Sequence, residues 1–175
     1  DGQSWESCNF GLLDEDVLCL ACAPNFAESE ALWAGTAGGG LYRSRNSARA
    51  WRESGNGLPD AAVQSFAFSP SFAEDRTLFV GMEAHGIYIS RDGGDNWESF
   101  ALAGQSINAL ACAKPELLWA GTEDGLWRVE TSSGEAAQIE AAGETVMAVA
   151  ATADGQVAAG LFGGGLLLTI DGAGT

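Results

Sequence analysis

Four copies of one short pattern constrain this chain more than anything else in it. The segments 32-LWAGT-36, 78-LFVGM-82, 118-LWAGT-122 and 157-VAAGL-161 align on a single glycine, at spacings of 46, 40 and 39 residues. Each is followed, after a glycine-bearing gap, by a second apolar run: 40-GLYRS-44, 86-GIYIS-90, 125-GLWRV-129 and 165-GLLLT-169. Each is preceded by a third: 17-VLCLACA-23, 63-VQSFAFS-69, 107-INALACA-113 and 146-VMAVAAT-152. A fourth element closes the unit as 5-WESCNFGL-12, 51-WRESGNGL-58 and 97-WESFALAG-104, with a weaker copy near 138-QIEAAG-143.

The runs are short, carry β-branched and aromatic residues, and are bounded by turn-forming residues, so they read as strands. No segment carries a helical period, so no helix is expected. One such unit cannot bury both of its faces alone and must stack on its neighbours. Four short strands recurring at this interval predict an all-β fold, a β-propeller of four-stranded antiparallel blades, with four blades in one domain over residues 1–175. The blades fall at about 13–58, 59–104, 105–143 and 144–175, with a further strand in 1–12. The 24 glycines suit many tight turns, and 46% hydrophobic residues suffice for a core.

The polar turn 90-SRDGGDNW-97 ends on a large apolar ring, which the turn itself cannot bury. Asp92 is placed to accept hydrogen bonds from its own turn, and Gly93 and Gly94 tolerate positive φ. Trp97 then starts the fourth strand and is expected to wedge against the adjacent blade. The series Ser90, Asp92, Gly94, Trp97 resembles the Asp-box of BNR-repeat β-propellers, the sialidase-like and sortilin-like group, with Asn96 where Thr or Ser is usual. Ser44 to Trp51 keeps the Ser and Trp of that box but lacks its Asp and Gly. Residues 169–175 resemble the start of another box, and 1–5 the end of one. The segments 24-PNFAESEALWAGT-36 and 70-PSFAEDRTLFVGM-82 are similar to the P-x-F-x-x-D-x-T-L-x-x-G pattern of bacterial BNR-like repeats, with Ser29 and Ala31 as departures in the first.

Two closures follow from this order. The N-terminal strand can complete the last blade of the same chain, giving a closed four-bladed ring. Alternatively, the four units form an arc of a larger disc, completed by a second copy, by another chain or by residues outside this sequence, since bare ends need a cover.

The net charge is −16, from 24 acidic and 8 basic residues. Such a surface repels phosphate backbones and disfavours nucleic acid and anionic membranes. No run is long enough for a membrane span, and no signal-like leader is visible. Cationic partners, metal ions or basic proteins are compatible with this charge, and a glycan is a further candidate ligand.

Candidate chemistry is sparse. Cys19 and Cys22 have C-x-x-C spacing, but three residues apart on a strand they diverge. Cys22 is level with Phe68, Cys112 and Ala151, a column expected to be buried. Neither a disulfide framework nor a metal site is expected, and no cofactor motif is present. His85, the only histidine, lies in the turn 83-EAHG-86. Tyr42 and Tyr88 share one repeat position and read as packing residues. No sialidase-type R-I-P motif occurs, and Arg43, Arg45, Arg49, Arg52, Arg76, Arg91 and Arg128 show no carboxylate clamp. No catalytic residue is assigned.

In an up-and-down blade the box-like turns lie on one face of the disc, and the second-to-third-strand turns and inter-blade links on the other. That other face gathers Asp14, Glu15, Asp16, Asp60, Glu83, His85, Glu123, Asp124 and Phe162, and is the candidate surface for a cationic partner or a divalent ion. The expected function is a non-catalytic protein-binding or assembly module, similar in role to the photosystem assembly factors built on this repeat. A glycan-binding or glycoside hydrolase-type, sialidase-like propeller is the alternative.

Overall fold

The structure is a computed structural model describing residues 4–140 and 143–169; the box-like tail 171–175 and residues 1–3 lie outside the described residues. Among the described residues, fifteen strands form four antiparallel sheets, each ordered as in the chain. Sheet I holds β1 (Val17–Cys22), β2 (Leu32–Thr36), β3 (Leu41–Ser44) and β4 (Arg52–Glu53). Sheet II holds β5 (Val63–Phe68), β6 (Leu78–Met82), β7 (Gly86–Ser90) and β8 (Glu98–Ala101). Sheet III holds β9 (Ile107–Lys114), β10 (Leu117–Thr122), β11 (Gly125–Glu130) and β12 (Ala136–Gln138), and sheet IV holds β13 (Val146–Ala151), β14 (Val157–Leu161) and β15 (Gly165–Thr169).

The sheets stack in chain order, β1 on β5, β5 on β9 and β9 on β13. Close approach at these junctions explains the repeated glycine. A β-carbon on Gly35 would lie 2.6 Å from Val63 Cγ1, one on Gly81 2.5 Å from Ile107 Cγ2, and one on Gly121 2.6 Å from Val146 Cγ1. Val63, Ile107 and Val146 are fully buried in these notches. Apolar clusters fill the rest of each junction. Between sheets I and II, Trp33 packs edge-on against Phe68 and Phe72, with ring centroids 5.3 and 5.9 Å apart.

Two single-turn helices, unexpected from the sequence, join the first and second strands of sheets I and II: α1 (Phe26–Ser29) and α2 (Phe72–Asp75). One turn is too short to show a period, and its only signal is the P-x-F pattern. Asp75 accepts from Ser69 Oγ (2.6 Å) and from the Thr77 N–H (2.7 Å). In the first copy Ser29 takes over part of this role, its Oγ accepting from the Ala31 N–H at 3.3 Å.

The expected burial of Cys22 does not hold: Cys22 is exposed, whereas Cys112, level with it, is partly buried against an apolar cluster. Their column faces the preceding sheet, and sheet I has none before it among the described residues. Residues 4–9 likewise carry no strand; Cys8 and Phe10 instead roof Trp51 through their carbonyls. No helix among the described residues is long and apolar enough to cross a membrane.

Candidate functional site

The sheet stack exposes two unlike faces. On one lies the turn 90–97. Asp92 Oδ1 accepts from Ser90 Oγ (2.8 Å) and from the Asp95 and Asn96 N–H groups (2.9 and 3.0 Å), and Oδ2 accepts from Asn96 Nδ2 (2.8 Å). Partial burial alone would raise the Asp92 pKa, but hydrogen bonds from Asn96, Ser90 and Asp95 outweigh it and bring the carboxyl down to about 2. Gly93 and Gly94 hold φ of 78° and 86°. Trp97 crosses onto sheet I: its N–H donates to Asn56 O (2.9 Å) and its Nε1–H to Ser54 O (2.8 Å). At 5% exposure it is buried by the adjacent sheet, as its sequence context implies.

The sequence does not foretell where the arginines go. Arg43 of sheet I donates to Gly93 O and pairs with Asp95; Arg45 lies 3.4 Å and Arg76 3.9 Å from the same carboxylate. Arg76 also donates to Asp92 O (2.7 Å). Three of the seven arginines thus meet at one turn, bonded to protein groups and bridging the first two sheets. Repeat register carries no signal for this, because Arg43 and Arg45 meet partners 50 residues away on a different sheet.

On the opposite rim, the predicted residues come together by element. Asp14 Oδ1 accepts from the Asp16 N–H (3.0 Å) and Oδ2 from the Gly38 N–H (2.8 Å). Thr36 and these backbone groups hold the Asp14 carboxyl below its ordinary pKa. Asp16 offers its carbonyl to the Ala37 N–H (2.9 Å), leaving its side chain and that of Glu15 exposed. Asp60 Oδ1 sits against Gly39 in the neighbouring turn. The Glu83 carbonyl accepts from the His85 ring at Nδ1 (2.8 Å), and both residues are exposed. Glu123 O accepts from Thr145 Oγ1 (3.0 Å), and Asp124 O from Gln138 Nε2 (2.6 Å). Phe162 is 74% exposed and held by its N–H to Thr145 O (2.8 Å).

The sequence reading missed Glu144, which abuts Gly164 on this rim; its level with Glu15 in the repeat was the available signal. Asp14 and Asp60 also open onto a cleft of about 620 Å³ between sheets I and II, whose lining includes Glu53 and the Arg43–Asp95 pair. No Lys or Arg occurs in the rim segments 14–16, 37–40, 59–62, 83–85, 103–106, 123–124, 143–145 and 162–164. All eight basic residues lie outside these segments, and Arg43, which lines the cleft, is paired with Asp95, so the rim segments themselves carry charge of one sign. Among the described residues, no three His, Cys, Asp or Glu side chains converge as a metal cage.

Four chain-ordered antiparallel sheets stacked through their first strands define a β-propeller architecture. Solved structures agree. The computationally designed Ika8 protein superposes with a TM-score of 0.69 at 18% identity, covering 91% of this chain and 47% of that one. The designed Ika4 protein gives 0.68 at 18%, covering 89% of this chain and 91% of its own. The Niastella koreensis GH74 enzyme gives 0.73 at 19%, covering 89% of this chain and 28% of that one. The chain therefore spans about half of Ika8 and about a quarter of the GH74 enzyme. At these identities the likeness establishes the fold. No protein-family model matches the sequence, and no curated protein is significantly similar to it.

Proposed function

We propose that this chain is a BNR/Asp-box repeat propeller unit acting as a non-catalytic binding or assembly module, whose acidic rim receives a basic protein partner. The observation that carries the proposal is charge segregation: eight carboxylates stand in rim segments that contain no Lys or Arg. Most of the segments are tied by main-chain hydrogen bonds, so the acidic side chains project from a fixed frame. A fixed field of one sign steers and orients a cationic partner.

The test is binding of a fluorescent oligolysine peptide, followed by anisotropy at low and high salt. Glu15→Lys, Asp16→Lys and Asp60→Lys are combined; Asp14 is spared because it caps two backbone N–H groups. The triple variant should bind at least about tenfold more weakly, and salt should weaken the wild type. Equal binding by both proteins would overturn the proposal. The glycoside hydrolase alternative draws on the GH74 likeness, and turnover of chromogenic glucosides or sialosides would establish it in place of the binding role.

A further inference from the structure

The three internal junctions are built alike, and the two ends of the stack carry the separated halves of a fourth. At each internal junction a β-branched residue opening one sheet enters the glycine notch of the sheet before it: Val63 at Gly35, Ile107 at Gly81, Val146 at Gly121. Each of these knobs is 0% exposed. Val17 opens sheet I in the same position and is 37% exposed. Gly160 is the matching notch of sheet IV; a β-carbon there would meet only Ala148, at 3.5 Å. The surrounding columns repeat the pattern. Leu20 (64%) and Cys22 are exposed on sheet I where Phe66 and Phe68 are packed on sheet II. Leu166 (68%) and Leu168 (61%) are exposed on sheet IV, level with Leu41 and Arg43, which sit inside the first junction.

The strand edges are complementary too. Among the described residues β15 lacks a fourth strand, and residues 5–8, level with 51–54, lie outside any ladder. By the register of β3 with β4, Glu6 and Ser7 would pair with Leu168 and Leu167. Trp5, 90% exposed, would then take the wedge position that Trp97 occupies.

We infer that a second copy of this chain docks head to tail, its Val17 entering the Gly160 notch, so that two chains close one disc through two identical junctions. A head-to-tail contact that closes gives a ring and leaves no apolar end bare. The 47% coverage of Ika8 means that two such arcs match the length of that chain. The new junction differs from the internal ones in its polar contacts. Cys19 Sγ, Ser65 Oγ and Asn108 Nδ2 each donate to the knob carbonyl of the next sheet, at 3.2, 3.2 and 3.0 Å. Met147 and Ala148 supply no such donor, so the fourth junction is apolar and opens before the others. The inference uses the ends of the stack, not the acidic rim, and stands whether or not the rim binds a partner.

Sedimentation velocity over about 1–100 µM protein tests it. The expected result is a concentration-dependent shift from 18.1 kDa to twice that mass. Gly160→Val, which fills the notch, and Leu168→Lys, at an already exposed position, should each hold the protein monomeric with an unchanged circular dichroism spectrum. In a Cys8→Ser background, alkylation of Cys22 should slow as concentration rises. An 18.1 kDa species at every concentration overturns the inference. So does an open-ended series of larger species, or a dimer that both variants leave intact.

Discussion

The turns 44–51 and 90–97 adopt one geometry with different residues. In the second, Ser90 Oγ accepts from the Gly94 N–H at 2.8 Å, Asp92 organises the loop, and two glycines occupy positive φ. In the first, Ser44 Oγ accepts from the Ala48 N–H at 3.0 Å, Asn46 Oδ1 accepts from Ser44 Oγ (2.9 Å) and the Ala50 N–H (3.0 Å), and Ser47 and Ala48 hold φ of 56° and 65°. Trp51 Nε1 donates to Cys8 O at 2.8 Å, as Trp97 Nε1 does to Ser54 O. A side-chain amide has replaced a carboxylate, and left-handed non-glycine residues have replaced glycines. The tryptophan and its roof persist. Wedge and roof therefore specify the turn more strongly than the residues that shape its loop.

The largest effect expected is at the wedge. Trp97→Ala should cost about 3–5 kcal/mol in urea unfolding, in the range of large buried aromatics. Trp51→Ala should cost less, because its roof is the unpaired segment 8–10 rather than a sheet. Equal losses would show that the roof contributes nothing.

Next comes the loop acceptor. Asp92→Ala should cost about 2 kcal/mol, since hydrogen bonds to a charged group are lost. Asn46→Ala should cost about 1 kcal/mol, the scale of neutral hydrogen bonds. The Asp92 pKa is depressed in the folded state, so its contribution is full above the ordinary carboxylate value. It is lost as pH falls from about 4 toward 2, and over that range the gap between wild type and Asp92→Ala should close.

The backbone exchange is smaller and opposite in sign. Ser47→Gly or Ala48→Gly should stabilise by about 1 kcal/mol in the same urea titration, removing left-handed strain. Gly94→Ala should destabilise, because its β-carbon would lie 2.6 Å from Trp33 Nε1.

The smallest effect concerns thiols rather than stability. Burial pushes Cys19 and Cys112 up to about 12, so a thiol reagent at neutral pH should modify Cys8 and Cys22 first. Rapid reaction of all four would contradict the packing of β1 and β9.

Much of this molecule was written in its residue order. The glycine column revealed the strand order, because only glycine fits where Val63, Ile107 and Val146 press on the preceding sheet. Ser90, Asp92, Gly94 and Trp97 announced their turn because its hydrogen bonds are local. The common side of the turns 37–40, 83–85, 123–124 and 162–164 was legible because connections alternate in an up-and-down topology. Three features were decided only by tertiary structure. The helices α1 and α2 are one turn long and have no period to detect. Arg43, Arg45 and Arg76 meet at Asp95 because neighbouring sheets bring their turns together. Cys22 and Cys112 share a repeat position yet differ in exposure, because burial depends on the sheet next door. Repeat identity fixes which face a side chain takes; whether anything stands opposite that face is settled by the stack.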